Sequence, residues 1–472
     1  MLSKSKFILG RQCLKALWLD KYKKEEKAPV TLEQERVFKQ GHIVGELAQR
    51  ILGNKPYVVS SENLTEAIKE TASLVKNHDL KCLCEATFQF NGVLVRVDIL
   101  NRLEEGWELI EVKSSTSVKD HYLEDVALQV HVLKESGINI QSYKLAILDK
   151  ENYSFEKNHY FNVIDLTHEL GTAGIDILVA EQLKVLKGVE PKIEISSHCN
   201  KPYPCAFKDY CLRQTGVPKV SILNLPNSRK RYSYLKSGIV KLDDPRLLKE
   251  NLSPLQARVV KAHIEKKIIV DVTNLRKWLG KIGQTPFSLD FETISNAIPK
   301  DEFSKPYEHI PFQFSLHKES RHWEFLNTKP QDYLGELVSH LLASCTGEEP
   351  ILVWNESFEK GVIERLSRGF PNKRKELLSL NDRMVDLMEV VKDTVYHPNF
   401  EGSFSLKKVA PALLGRGYEH LSVSSGVEAM VQYEKLLENY DSQIEANLKE
   451  YCRQDTEIPL EILKKLVTLA SD

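Results

Sequence analysis

Two stretches of this sequence put charged side chains where strands are expected. In 92–113 (GVLVRVDILNRLEEGWELIEVK) the pattern predicts strands over 93–100 and 107–112, with Gly106 suited to the turn between them. Asp98 falls among Val, Leu and Ile of the first strand. Glu111 and Lys113 flank Val112 in the second, so at a period of two they share one face. Two carboxylates and a lysine there are costly to bury unless they pair or bind a cation. The alternative is a surface hairpin carrying an Asp and a Glu–Lys pair. In Ser288-Leu-Asp290-Phe-Glu292-Thr293, Asp290 and Glu292 are again two apart on a predicted strand. Tyr451 and Asp455, in Tyr-Cys-Arg-Gln-Asp, lie one helical turn apart. Trp354-Asn355-Glu-Ser-Phe-Glu359 ends a predicted buried strand and starts a helix, adding Glu359 as a further acid. Four carboxylates can hold two divalent ions about 4 Å apart, the arrangement for in-line phosphoryl displacement. The alternative is that Glu292 and Glu359 are cap or surface acids.

A third set is sulfur. Cys199, Cys205 and Cys211 are evenly spaced in the Pro- and Tyr-rich stretch HCNKPYPCAFKDYC. In an irregular segment of a chain expected in a reducing compartment, such spacing argues for metal thiolates. Cys82, Cys84, Cys345 and Cys452 fall in predicted strands or helices as ordinary buried cysteines. Cys13, near the start, is the remaining candidate for a fourth ligand. The alternatives are a zinc site using His198, and no metal.

The elements that must position these residues follow from periodicity. Residues 1–27 read as a capped helix with a Leu14, Leu17, Trp18 face. Residues 31–52 read as an amphipathic helix with Phe38, Ile43, Val44, Leu47 and Ile51 as its stripe. A strand over 84–90, a helix over 122–136, a strand over 143–148 and a long helix over 166–186 follow, with a loop from Pro191. Residues 216–283 lack strand signals and carry the basic run Arg229-Lys230-Arg231; they read as a helical connector with a solvated basic face. From Pro286 the pattern turns α/β again, with strands over 287–291, 312–316 and 351–354, a helix over 333–342, and helices filling most of the rest to Ala470. The fold class is α/β, in domains 1–215, 216–283 and 284–472. A chain of 472 residues is too long for one core. Its net charge of −1 gives no global basic field, so any nucleic-acid surface must be local. No signal-peptide core or long apolar run is present, so no membrane partner and a cytoplasmic location are expected.

The order of these motifs resembles the iron–sulfur RecB-type nucleases, including the CRISPR-associated and AddB groups, in which one cysteine precedes the nuclease core and three follow it. That family's PD-(D/E)XK pattern maps onto Asp98 and Glu111-Val112-Lys113, and its helix glutamine onto Gln129 in DVALQVHVL. Its upstream G-x-x-x-H-E aligns with Gly41-His-Ile-Val-Gly45-Glu46, so Gly45 stands at the histidine position and Glu46 matches the acid after it. The second acidic set resembles DnaQ-like exonucleases of the DEDDy type. Asp290, Glu292, Tyr451 and Asp455 match, and Glu359 stands where an aspartate is usual. Gly402-Ser-Phe-Ser-Leu406-Lys resembles the segment before the last motif, which would contact substrate. The combination resembles a bacterial family of such fusions over nearly the full chain.

The resemblance implies a PD-(D/E)XK restriction-endonuclease-like domain with an iron–sulfur (4Fe-4S) cluster on Cys13, Cys199, Cys205 and Cys211, a helical connector, and an RNase H-like α/β domain. It implies Mg²⁺ or Mn²⁺ held by Asp98, Glu111, the Val112 carbonyl and Glu46 in the first, and by Asp290, Glu292, Glu359 and Asp455 in the second. Lys113 would orient the attacking water or offset developing charge, Gln129 would position Lys113 or the water, and Tyr451 would orient the second centre's water. The implied function is a metal-dependent nuclease, an exonuclease on single-stranded or free-ended DNA, with RNA as a further substrate class. The alternative is a nucleic-acid-binding or regulatory protein in which one centre, the C-terminal one first, is degenerate. Protein partners are not legible.

Overall fold

The computed structural model describes residues 1–299, 304–330 and 332–471, and the chain divides into two compact units. Unit 1 comprises Met1–Gly216 with Asn296–Tyr307; unit 2 comprises Val217–Ser295 with Glu308–Asp472.

Unit 1 opens with β1 (Leu2–Ser3), α1 (Lys4–Gln12) and α2 (Leu14–Tyr22), where a single helix was expected. The break is Cys13, whose extended backbone (φ −163°, ψ 116°) ends one helix and starts the next. α3 (Leu32–Leu52) starts on a capping box in which Thr31 and Gln34 exchange side-chain and backbone hydrogen bonds. Its expected stripe is only partly buried. The row facing inward is Gln40–Val44–Ala48, one i, i+4 ridge, which leaves Phe38, Ile43 and Ile51 exposed. Then come β2 (Pro56–Val58), α4 (Leu64–Leu74), β3 (Cys82–Phe90), β4 (Val93–Arg102), β5 (Trp107–Lys113), α5 (Asp120–Glu135), β6 (Ile140–Leu148), β7 (Phe161–Asp165), α6 (Ile175–Val185) and α7 (Lys208–Gln214). The helix expected from Leu166 begins only at Ile175, after the left-handed Gly174 (φ 85°).

The sheet of unit 1 has the order β2-β3-β4-β5-β6-β7, with β1 beside β4. β3, β4 and β5 are successive antiparallel neighbours; α5 then crosses over to β6, which runs parallel to β5. Val93, Val95 and Val97 of β4 share a core with Val126, Leu128 and Val130 of α5. That packing fixes α5 against the hairpin that carries Asp98 and Glu111.

Unit 2 contains α8 (Arg231–Lys236), α9 (Pro254–Glu265), β8 (Ile269–Val270), α10 (Val272–Ile282), β9 (Phe287–Ile294), β10 (Ile310–Lys318), β11 (Arg321–Leu326), α11 (Leu334–Ser344), β12 (Ile351–Val353), α12 (Glu356–Gly369), α13 (Arg374–Asp382), β13 (Met384–Asp386), α14 (Leu387–Thr394), β14 (Val395–Tyr396), α15 (Leu406–Leu414), α16 (Gly426–Glu438) and α17 (Ser442–Ser471). The stretch expected as a connector is built into this unit. Ile222, Leu247, Val259, Leu275 and Ile282 share a core with Val409, Leu448 and Ile462, and β8 pairs with β14. Apolar positions at helical spacing, rather than the basic run, decide where that stretch packs.

The main sheet of unit 2 has the order β11-β10-β9-β12-β13, so its first strand, β9, is central. β9–β10 and β10–β11 are antiparallel, while β9–β12 and β12–β13 are parallel. β11 and β13 were not expected, because Arg321-His-Trp-Glu lacks clean alternation and β13 is only three residues long. Phe287, Leu289 and Phe291 of β9 enter one core with Phe314 and Val362, which leaves Ser288, Asp290 and Glu292 for the opposite face. Among the described residues no helix is long and apolar enough to cross a membrane.

Candidate metal-binding centres

In unit 2, β9 supplies Asp290 and Glu292 and α17 supplies Asp455. One carboxylate oxygen from each lies within 4.8 Å of the others. Two tyrosines act on Asp455. Tyr418 donates its hydroxyl to Oδ1, and Tyr451, one turn earlier on α17 and 4% exposed, lowers the pKa of Asp455. Pro459, four residues on, has no N–H to give the Asp455 carbonyl, so the helix ladder is open at the acid itself. The Lys407 ammonium lies 5.8 and 5.7 Å from the ring centroids of Tyr418 and Tyr451. Cys452 Sγ is 3.6 Å from Asp290 Oδ2.

Burial, then repulsion from Asp455 and neighbouring acids, holds Asp290 and Glu292 well above the usual carboxylate range. Burial pushes Asp455 up to about 6, against the opposing pull of Tyr418, Lys407 and Tyr451. Three acids raised by burial, two of them also repelled by Asp455, fit a divalent cation, which would stabilise their charged forms. Glu359, on α12, is 2% exposed and lies outside the three-acid group. Its Oε2 has no hydrogen-bond partner among the described residues, and burial with nearby Asp386 and Asp455 pushes its carboxyl up to about 8. Asp386, at the end of β13, accepts from the backbone N–H groups of Glu356 (3.1 Å) and Glu389 (3.0 Å).

In unit 1, the hairpin and α5 bring Asp98, Glu111, Val112, Lys113 and Gln129 together. The Val112 N–H donates to Asp98 Oδ2 at 2.8 Å. Lys113 Nζ bridges Glu111 Oε1 (2.6 Å) and Asp125 Oδ2 (2.5 Å), and Gln129 Nε2 donates to Glu111 Oε2 at 2.7 Å. Lys4, the first residue of α1, adds a second ammonium 3.1 Å from Glu111 Oε2. Burial, then repulsion from Glu111, pushes Asp98 up to about 7. Burial acts upward on Glu111 as well, but Lys113 and Lys4 outweigh it and hold this carboxyl well below the usual range.

Glu46 does not join them. It is exposed on α3. The acid that α3 does steady is Glu85, whose Oε1 accepts from Gln49 at 3.0 Å. Glu85 sits between the ladder pairs Cys84–Ile99 and Ala86–Val97, across from Asp98, and its φ of 56° is unusual for a non-glycine residue in a strand. Asp125 is a residue the sequence reading missed, although its place one turn before Gln129 in DVALQ was a signal for it. Lys4 and Glu85 carried no local signal, and neither did Tyr418 in Gly415-Arg-Gly-Tyr.

Cys13, Cys199, Cys205 and Cys211 line one small cavity in unit 1, with His198 beside them. Gln12 Nε2 donates to the carbonyls of His198 (2.9 Å) and Tyr203 (2.7 Å), and the Cys205 N–H donates to the Cys199 carbonyl (2.9 Å), so α1 is laced to the cysteine loop. Cys82, Cys84, Cys345 and Cys452 are buried, as expected.

A family defined as a domain of unknown function (DUF2779) matches residues 287–405, the stretch holding Asp290, Glu292 and Glu359 but not Tyr451 or Asp455. No curated protein sequence matches. Among solved structures, the crystal structure of SSO0001 is similar at a TM-score of 0.25 and 13% identity, over 44% of this chain and 85% of that one. A likeness of that degree carries no argument about fold or function.

Proposed function

We propose that this chain is a metal-dependent nuclease with two phosphodiesterase centres, acting on single-stranded or free-ended DNA. The observation that carries the reading is the convergence of Asp290, Glu292 and Asp455 to within 4.8 Å in unit 2. Strand order supports it. A sheet ordered third-second-first-fourth-fifth, with only the second strand opposed to the first, fourth and fifth, and acids on the central first strand, agrees with an RNase H-like domain. Three antiparallel strands, a crossover helix and a parallel fourth strand agree with a PD-(D/E)XK core in unit 1. The gathered acids of unit 2 are what a degenerate C-terminal centre would have lost.

Mg²⁺ or Mn²⁺ bound to Asp290, Glu292 and Asp455 would polarise the phosphate and favour ionisation of water. The chain's own side chains supply the rest. Tyr418 fixes the orientation of Asp455, Tyr451 would orient the attacking water, and the exposed Lys407 offers a cation to a phosphate oxygen. In unit 1, Asp98 and Glu111 would hold the ion, Lys113 would set a point charge beside the scissile group, and Gln129 orients Glu111.

The four cysteines, which line one cavity, would hold an iron–sulfur cluster, with zinc as the alternative that uses His198. A cluster would clamp α1 to the 199–211 loop as a structural cross-link. The test is incubation of end-labelled single-stranded DNA with Mn²⁺: hydrolysis that EDTA abolishes is expected, and intact DNA with every divalent ion tried overturns the reading.

A further inference from the structure

Lys4 lies 107 residues from Glu111 in sequence, yet its ammonium stands 3.3 and 3.1 Å from the two oxygens of Glu111 and 3.9 Å from Asp98 Oδ1. The other oxygens of these acids are engaged elsewhere. Asp98 Oδ2 accepts from Val112 N–H at 2.8 Å, and Glu111 Oε1 accepts from Lys113 at 2.6 Å. Glu111 Oε2 also accepts from Gln129 Nε2 at 2.7 Å, a neutral donor that leaves its second lone pair for a cation, so Asp98 Oδ1 and Glu111 Oε2 are the pair a shared cation would take, and Lys4 reaches both. Nor is this a loose surface lysine. Its side chain is 22% exposed, and α1 is pinned along its length. Leu2 pairs with Val93, Ser3 Oγ caps the helix through Lys6 N–H, Gln182 Nε2 donates to the Phe7 carbonyl at 3.1 Å, and Arg11 pairs with Glu124 at 2.9 Å.

Carboxylate oxygens bind Mg²⁺ at about 2.1 Å, so an ion shared by Asp98 and Glu111 and the Lys4 ammonium cannot occupy the same position. We propose that Lys4 is the resident cation of the unit 1 centre, which a divalent ion must displace, so that Lys4 sets the metal affinity of that centre. The inference rests on the reading of unit 1 as metal-dependent. While Lys4 is in place, two ammoniums offset the three carboxylates of Asp98, Glu111 and Asp125; once it is displaced, the divalent ion takes over that role.

The test uses the full chain with Asp290→Asn and Asp455→Asn, so that the unit 2 acids do not contribute, and measures Mn²⁺ binding by electron paramagnetic resonance. Removing one positive charge from beside the ion should tighten binding about tenfold in Lys4→Met, discounted for partial exposure. Lys4→Gln, which keeps a hydrogen bond to Glu111, should tighten it likewise, and it serves as the second variant if thermal melting shows Lys4→Met unfolded. Lys4→Arg should leave binding at or below the parent's. Unchanged or weaker binding in the neutral variants, with one Mn²⁺ still lost in Asp98→Asn, overturns the role of Lys4 and leaves the centre standing. Unaltered Mn²⁺ stoichiometry in Asp98→Asn overturns both.

Discussion

Replacing Glu359 by Gln should flatten the pH dependence of unit 2's stability. Glu359 is 2% exposed, its Oε2 lacks a partner, and burial together with Asp386 and Asp455 raises its carboxyl from an ordinary 4.5 to about 8. A carboxyl raised on folding contributes stability that is complete below its unfolded value and is lost as the pH climbs to the folded one. Between those limits the native state holds one proton more than the unfolded chain, so stability falls by about 1.4 kcal/mol per pH unit. The accumulated ceiling is about 5 kcal/mol. Glutamine has nearly the same shape and does not ionise, so it removes this contribution. Asp290, Glu292 and Asp455 titrate in both proteins and largely cancel in the difference. The assay is calorimetric melting in EDTA from pH 5 to 8, following the transition assigned to unit 2. Wild type should lose about 2–4 °C more per pH unit than Glu359→Gln. Equal slopes would refute the account of Glu359 as a buried, proton-holding acid.

Three further outcomes follow from other parts of the molecule. Tyr418→Phe removes a donor that lowers the Asp455 pKa, so the acid limb of unit 2 hydrolysis should move up by as much as about one pH unit, measured in an Asp98→Ala background; an unmoved limb contradicts this role. Cys205→Ser should cost unit 1 its iron and its visible absorbance, checked by metal analysis of anaerobically prepared protein. Colourless wild type with stoichiometric zinc would replace the cluster by zinc. Gly402→Ala should destabilise unit 2 by about 2–4 kcal/mol in denaturant unfolding, because Gly402 has φ 81° and a Cβ there would meet the Asn224 carbonyl oxygen at 2.0 Å. An unchanged midpoint would show that this turn yields easily.

Residues close in sequence or carried by strong periodicity were legible. The alternation of β4 and β5 fixed the faces of Asp98, Glu111 and Lys113, and the i, i+4 spacing of Tyr451 and Asp455 put both on one side of α17. What escaped depends on contacts between distant segments. Lys4 reaches Glu111 because β1 pairs with β4, and Tyr418 reaches Asp455 across a turn-rich stretch that has no period. Glu46 is exposed because the ridge that α3 turns inward is Gln40–Val44–Ala48. The connector was misread for a related reason: its helices looked polar and basic, while the apolar positions between those charges complete the core of unit 2.

The central claim is that two carboxylate centres in this chain hydrolyse phosphodiesters. The most direct measurement compares wild type, Asp98→Ala, Asp290→Ala and the double variant on end-labelled single-stranded DNA with Mn²⁺. Each single variant should keep part of the hydrolysis and the double variant should lose it, with folding of all four checked by thermal melting. Degradation by the folded double variant at the wild-type rate would contradict the claim.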